Sequence, residues 1–164
     1  MNKTHICTTS LSKIEAVKII SCPADEIDAM LPLAEQYYHE DKLPFDAARF
    51  QRALATALAQ DRGSAWWLCV AGERVGYALM MDGWSIEFGG LSTTLDEIFV
   101  LPRWRGKGVA SQAIIALRDQ FASRGGVSMS METTPDNLNA QKLYQRLGFA
   151  DTKRPVFRLV LKEA

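Results

Sequence analysis

One segment, residues 95–110, constrains the fold more than any other part of the chain. Residues 95–101 are predicted as a strand that stops at Pro102, and a helical period of apolar residues begins after Gly106 and Gly108. The first N–H groups of a helix have no intrahelical partner and carry the positive end of the helix dipole, and glycine lets an anion approach them closely. The segment therefore predicts a strand, a short turn and a helix that together bind a phosphate or pyrophosphate.

The type of phosphate compound is a separate question. Arg103, Arg105 and Lys107 add positive charge to the turn, but the spacer and the Lys-Ser/Thr pair of a Walker A loop are missing. A dinucleotide fingerprint is approximated, with Glu132 at roughly the expected distance of 20 residues, yet Ser111 replaces its third glycine and little chain follows. A third interpretation is that the glycines only permit a tight connection.

The remaining pattern predicts one mixed α/β domain over residues 14–164, preceded by a flexible N-terminal arm over residues 1–13. Apolar spacing predicts a first strand at 14–20, helices near 23–34 and 45–60, and an antiparallel hairpin at 65–70 and 75–81. After the 95–110 segment it predicts a parallel strand at 127–132, a helix at 137–147 and a closing strand at 156–161. The sheet is thus mostly antiparallel, with helices flanking it.

Charge and cysteine content exclude several classes of protein. The chain has 19 basic and 19 acidic residues, so no global field draws it to nucleic acid or to a membrane surface. No apolar run approaches the roughly 20 residues that cross a bilayer. Cys7, Cys22 and Cys69 form no metal-ligand spacing, and His5 and His39 do not make a metal site. We expect a cytoplasmic protein without a metal.

Two motifs resemble the GNAT superfamily of N-acetyltransferases. The run Arg103-Trp-Arg-Gly-Lys-Gly108 matches the signature of Arg or Gln, two residues, Gly, one residue, and Gly or Ala. Asn137, Ala140, Tyr144 and the pair Gly148-Phe149 match the pattern of the last core helix of that family. The order of elements from about residue 14 to residue 161 also agrees. The resemblance implies transfer of an acetyl group from acetyl-CoA to an amine, by direct transfer in a ternary complex.

The resemblance also implies where acetyl-CoA binds. Two central strands of the family splay apart, here 95–101 and 127–132, and the pantetheine arm pairs with strand backbone in the gap. The implied cofactor residues are Phe99, Val100 and Leu101 for pantetheine and Arg105, Gly106, Lys107, Gly108, Val109 and Ala110 for pyrophosphate. Asn137 either reaches the pantetheine or caps its own helix after Pro135-Asp136.

For catalysis the resemblance implies a carboxylate base and a tyrosine acid. Glu97 is the first candidate for the base, since it shares a strand face with Phe99 by period two, whereas Asp96 points the other way. Glu87 is the reserve candidate. If the intervening turn pairs Phe88 with Thr94, Ser85 faces Glu97 and orients it. Tyr144 is the candidate general acid that protonates the departing thiolate.

The acceptor amine is left open by the sequence. The resemblance places its site at the first helices and at the strand near residues 84–87, so the candidates for acceptor binding are Tyr37, Glu40, Ser85 and Glu87. A solvated loop with buried aromatic rings explains the same residues. Two other functions stay open: a non-catalytic acyl-CoA-binding regulator and, more remotely, a dinucleotide-dependent oxidoreductase. Homodimerisation is common in the family, and residues 156–161 are a candidate edge strand for it.

Overall fold

A five-stranded sheet forms the centre of the molecule in the computed structural model, which describes residues 15–161. Its strands lie in sequence order: β1 (Lys18–Ser21), β2 (Gly63–Val70), β3 (Glu73–Ser85), β4 (Gly90–Val100) and β5 (Ser128–Met131). Neighbouring strands are antiparallel except β4 and β5, which are parallel. The predicted mixed sheet with one parallel pair is confirmed.

Four helices cover the two faces of the sheet: α1 (Ile27–Glu40), α2 (Ala47–Ala59), α3 (Val109–Ser123) and α4 (Leu138–Arg146). The first core cluster joins α1 and α2 to the sheet, and it includes the fully buried Met30, Trp67 and Tyr77. The second joins α3 to the opposite face through Ile114 and Leu117. Both clusters bury large apolar side chains, which supplies the main favourable free energy of folding.

A β-bulge in β4 decides which way its side chains point. Glu97 pairs with Leu79 and Leu95 pairs with Met80, so Asp96 is the extra residue between two aligned pairs. Without the bulge, Leu95 and Glu97 would share a face by period two. With it, Leu95 joins the core under α3 and the Glu97 position faces α1 and α2. Glu97 and Phe99 share a face, as the sequence predicts.

The parallel pair β4–β5 is short, and the two strands then separate. Their paired positions run from Ser92 with Ser128 to Leu95 with Met131, and no described residue pairs with β4 on that side from Asp96 to Val100. The predicted splay of the two central strands is confirmed. It leaves a stretch of strand backbone open to a ligand.

Three expectations about the chain are wrong. Residues 156–161 form no strand, and the apolar side chains there, including Phe157 at 90% exposure, lie in solvent. Ser85 pairs with Gly90 and not with Glu97, because β3 ends at Ser85 and the turn to β4 spans residues 86–89, earlier than the predicted turn at 89–93. The first strand begins at Lys18, later than expected. The predicted arm, residues 1–13, lies outside the described residues.

Candidate active site

Glu97 is a buried carboxylate held by two tyrosines. Its side chain comes from the β4 bulge region and is only 7% exposed. The hydroxyl of Tyr38, on α1, donates to Oε1 at 2.9 Å, and the hydroxyl of Tyr77, on β3, donates to Oε2 at 2.7 Å. Each carboxylate oxygen can accept a further hydrogen bond. The carboxylate is therefore fixed in position and still able to take a proton.

Burial raises the pKa of Glu97 above its usual range, while the two tyrosine hydrogen bonds act to lower it. Nearby Asp96 and Asp41 raise it further by charge repulsion. A carboxylate with a raised pKa is a stronger base than one in water, and its titration is shifted toward neutral pH. The same burial, with the charge of Glu97, raises the pKa of Tyr77 and Tyr38, so both phenols stay protonated and keep donating.

A cavity of about 310 Å³ lies beside Glu97, between α2 and the β3–β4 pair. Its charged lining residues are Asp46, Arg49, Asp96 and Glu97, and the rest of the wall is aromatic and aliphatic. Asp46 also caps α2 by accepting from the N–H of Arg49 at 2.9 Å. Glu97 thus forms part of the cavity wall.

The four predicted acceptor residues lie outside this cavity lining. Tyr37 packs edge-on against Tyr38 and Phe99. Glu40 forms an ion pair with Arg105, and the exposed Glu87 forms one with Arg154 at 3.2 Å. Ser85 accepts a hydrogen bond from the N–H of Phe88 within its own turn. Of the acidic residues between α1 and α2, it is Asp46 that lines the cavity.

The gap between β4 and β5 exposes backbone groups of β4. Because the N–H of Leu101 donates to the carbonyl of Val75, ladder alternation turns Phe99 toward β3 and the N–H and C=O of Val100 toward the gap. The Val100 carbonyl accepts from Nε of Arg105 at 2.7 Å. The same guanidinium reaches Glu40 at 2.8 Å and lies 5.3 Å from the centre of the Phe99 ring.

The turn before α3 has the geometry of an anion site. Gly106 and Gly108 have left-handed φ angles of 72° and 84°, and a Cβ at Gly106 would meet nothing within 4 Å. Gly108 is the N-cap of α3 and supplies no side-chain cap, so N–H groups of the first turn stay available. Lys107 lies 5.0 Å from the Trp104 ring centre. Arg103 instead pairs with Glu73 across the β2–β3 turn.

Helix α4 carries the other two predicted site residues. Asn137 caps it by accepting from the N–H of Ala140 at 3.1 Å, so the capping interpretation is confirmed, and the amide nitrogen of Asn137 is left as a donor for a ligand. Tyr144 is half-buried against the α3 core and edge-on to Phe149. Burial raises its pKa, and so does the charge of Asp41, which acts on Glu97 as well.

Sequence reasoning missed the two tyrosines that bind Glu97. Tyr38 lies four residues after the fully buried Ala34 on α1, so helical spacing indicates its position on the inward face. Tyr77 is opposite Phe99 in the hairpin, which places it two positions from Glu97. Both signals are present in the sequence, but the register is needed to bring them to one carboxylate.

Three features together fit an acyl-CoA-dependent acyltransferase. They are the splayed parallel strand pair, the glycine turn at a helix N-terminus and the buried carboxylate beside a cavity. The turn offers backbone N–H groups to a pyrophosphate, and the open β4 backbone offers hydrogen bonds to pantetheine amides, so the residues present fit the cofactor. The chain belongs to the Acetyltransferase (GNAT) family, whose model matches residues 27–149.

Relatives that match nearly the whole chain are named for the same chemistry. Two are aminoglycoside N(6')-acetyltransferases type 1: the one from Salmonella enteritidis is 31% identical over 157 residues, and the one from Salmonella typhimurium strain LT2 is 36% identical over the same length. Each alignment covers 96% of this chain and 93% of the relative. The solved structure of AAC(6')-Iy in complex with a CoA bisubstrate analogue superposes with a TM-score of 0.72 at 25% identity, and it covers 88% of this chain and 97% of that one.

These findings establish an acetyl-CoA-dependent N-acetyltransferase. The prediction of acetyl-CoA as cosubstrate is confirmed, and the regulator and oxidoreductase alternatives are set aside. Within residues 15–161, no group of His, Cys, Asp and Glu side chains is placed to hold a metal ion. The helices in that range are too short or too polar to cross a membrane.

Proposed function

We propose that the protein acetylates a primary amine of a small molecule, with Glu97 as the base, Tyr144 as the acid and the cavity beside Glu97 as the acceptor site. The observation that carries this proposal is the buried Glu97 carboxylate, which faces the cavity and has a raised pKa. Perturbed carboxylates beside a ligand cavity are typical of catalytic sites.

Acetyl-CoA supplies a thioester that an uncharged amine attacks. An amine with a pKa near 10 is mostly protonated at neutral pH, so its extra proton must leave before attack. Glu97 accepts that proton on a lone pair not used by Tyr38 or Tyr77, directly or through one water. Cys22 and Cys69 are buried and burial raises the pKa of both thiols, which makes them poor nucleophiles and supports direct transfer to the amine.

Two further groups complete the proposed chemistry. The N–H of Val100 faces the gap and is suited to donate to a carbonyl oxygen that gains negative charge. The hydroxyl of Tyr144 holds its proton, because burial raises its pKa, and is suited to give it to a departing thiolate. Lys107, with the amides of Gly106, Gly108, Val109 and Ala110, binds the pyrophosphate in this proposal. Arg105 would take part only if its guanidinium left Glu40 and the Val100 carbonyl.

The experiment that tests the base measures thiol release from acetyl-CoA with a panel of amines that includes aminoglycosides, the substrates named for the two Salmonella relatives. We expect Glu97→Gln to lower kcat by about 10²-fold or more near neutral pH, with CoA affinity unchanged in calorimetry. The matched control is Glu87→Gln, at an exposed ion pair. If Glu87→Gln loses activity and Glu97→Gln does not, the base is Glu87.

The cytoplasmic location and the homodimer are also proposals. The buried thiols of Cys22 and Cys69 suit a reducing compartment. The exposed apolar segment 156–161 supports a dimer, since such a segment is usually covered by another chain. Size-exclusion chromatography with light scattering tests the dimer, and a monomer at all concentrations contradicts it.

A further inference from the structure

The wall of the cavity beside Glu97 is mostly hydrocarbon. Aromatic and aliphatic side chains supply it from α2, from the segment before α2 and from β3: Phe45, Phe50, Leu54, Ala57, Leu79 and Met81. Its volume of about 310 Å³ is at the lower end of the roughly 300–1,000 Å³ found for small-molecule sites. The cavity therefore suits a compact ligand that presents carbon to its wall.

The polar side chains of the cavity are those of Tyr38, Asp46, Arg49, Asp96 and Glu97, and the other side chains of the wall carry no N–H or O–H donor and no oxygen acceptor. The Tyr38 hydroxyl donates to Glu97, and the Asp46 carboxylate accepts from the backbone of its own helix. A ring system with many hydroxyls would leave several of them unpaired against Leu54, Leu79 and Met81, and unpaired buried polar groups are costly. The wall thus disfavours a polyhydroxylated acceptor.

Charge at the cavity favours a cationic acceptor. The lining includes three acidic residues, Asp46, Asp96 and Glu97, and one basic residue, Arg49. Among the described residues, the Arg49 guanidinium forms no ion pair within 4.0 Å, so its positive charge is not cancelled by a direct contact. The acidic residues outnumber the basic one, so the lining favours a cationic acceptor.

We infer that the preferred acceptors are primary amines that carry a compact aromatic or branched aliphatic group, and that this group fills the cavity while the amine faces Glu97. The inference rests on the proposed function, in which Glu97 is the base. It names a substrate class different from that of the two Salmonella relatives.

The first test compares kcat/KM for thiol release from acetyl-CoA with 2-phenylethylamine, 3-methylbutylamine, ethylamine and kanamycin A. We expect the first two amines to exceed ethylamine by about tenfold or more, because each added carbon gains a buried contact. They should exceed kanamycin A as well. If kanamycin A or ethylamine has the highest value, the inference is overturned while the proposed function stands.

The second test fills the cavity. Ala57→Leu adds carbon to the cavity wall on α2, and the matched control Ala59→Leu makes the same change at an exposed position of the same helix. We expect Ala57→Leu to lower kcat/KM for 2-phenylethylamine by about tenfold and for ethylamine by much less, with Ala59→Leu close to wild type. Equal losses for the two amines, or no loss, overturn the inference.

Binding separates the inference from the proposed function. If no amine releases thiol, the proposed function fails. Calorimetry of 2-phenylethylamine with the CoA complex then still tests whether the amine binds in the cavity. Binding to the wild type that Ala57→Leu weakens by about tenfold, with CoA affinity unchanged, supports the inference. No binding to the wild type, or equal binding to both proteins, overturns it.

Discussion

Opposing effects act on the pKa of Glu97, the residue that carries most of the proposed chemistry. Burial raises the pKa of Glu97, and the hydroxyls of Tyr38 and Tyr77 stabilise its charged form. Burial without these donors would raise the pKa of the carboxylate further. With strong donors and no burial it would be a weak base. The two tyrosines therefore offset part of the effect of burial on the pKa of Glu97.

Tyr77→Phe should shift the pH dependence of kcat/KM. The substitution keeps the buried ring but removes a donor that lowers the pKa of Glu97, so that pKa rises. Because Glu97 acts only when ionised, the acid limb of the profile moves to higher pH while the rate at high pH changes less. The measurement is a pH–rate profile with acetyl-CoA and one amine.

The control for this experiment is Tyr37→Phe, which removes a hydroxyl that makes no hydrogen bond to Glu97. Its acid limb should stay at the wild-type pH. An unchanged limb in Tyr77→Phe, or an equal shift in both variants, would show that the Tyr77 hydroxyl does not tune the base.

At the scale of elements, the turn between β4 and α3 connects the open backbone of β4 with the N–H groups at the N-terminus of α3. Gly106 and Gly108 adopt left-handed φ angles that other residues take only with strain, and this conformation presents the N-terminus of α3 to an anion. The β4 bulge is the other decisive element. By inserting Asp96, it turns Glu97 to the acceptor side while Leu95 stays in the α3 core.

Gly106→Glu should abolish CoA binding, because a carboxylate would repel the pyrophosphate at its site. The left-handed φ also costs about 1–2 kcal/mol of stability for any side chain. Gly72→Glu is the matched control: it has a φ of 81° and open space around it, but lies in the β2–β3 turn. Calorimetry with CoA should separate the two, although both lose similar thermal stability. Equal CoA affinity in both variants contradicts the assignment.

For the whole molecule, the gap between β4 and β5 lies where β4 lacks a paired strand on one side. Elsewhere β4 is paired with β3 along its length, but on the β5 side its pairing ends at Leu95. A ligand that pairs with residues 96–100 and binds the α3 N-terminus would therefore connect β4, β5 and α3. Cofactor binding and global stability should then be linked.

Saturating CoA should raise Tm. At free CoA a hundred times its Kd, a ligand that binds only the folded protein adds about 2.7 kcal/mol to the free energy of unfolding. For a chain of this size that corresponds to roughly 5–10 °C. Differential scanning calorimetry measures the shift, and Gly106→Glu should show none. A wild-type Tm that does not move at that concentration would contradict binding to the folded state.

The sequence by itself determined the order of elements, the parallel strand pair and the glycine turn. These depend on local periodicity and on the conformational freedom of glycine at Gly106 and Gly108, which a sequence displays directly. The same applies to Glu97 and Phe99 sharing a face, because period two holds within one unbroken stretch of strand.

Only the tertiary structure decided what surrounds Glu97. The bulge at Asp96 places the Glu97 side chain on the sheet face opposite to that of Leu95. The residue type at position 96 does not predict a bulge. The position of the β3–β4 turn separates Ser85 from Glu97 and brings Tyr77 close to it, and the packing of α1 adds Tyr38 from 59 positions away in the chain. The pKa of the base and the walls of its cavity depend on these long-range contacts, so they are properties of the packed molecule.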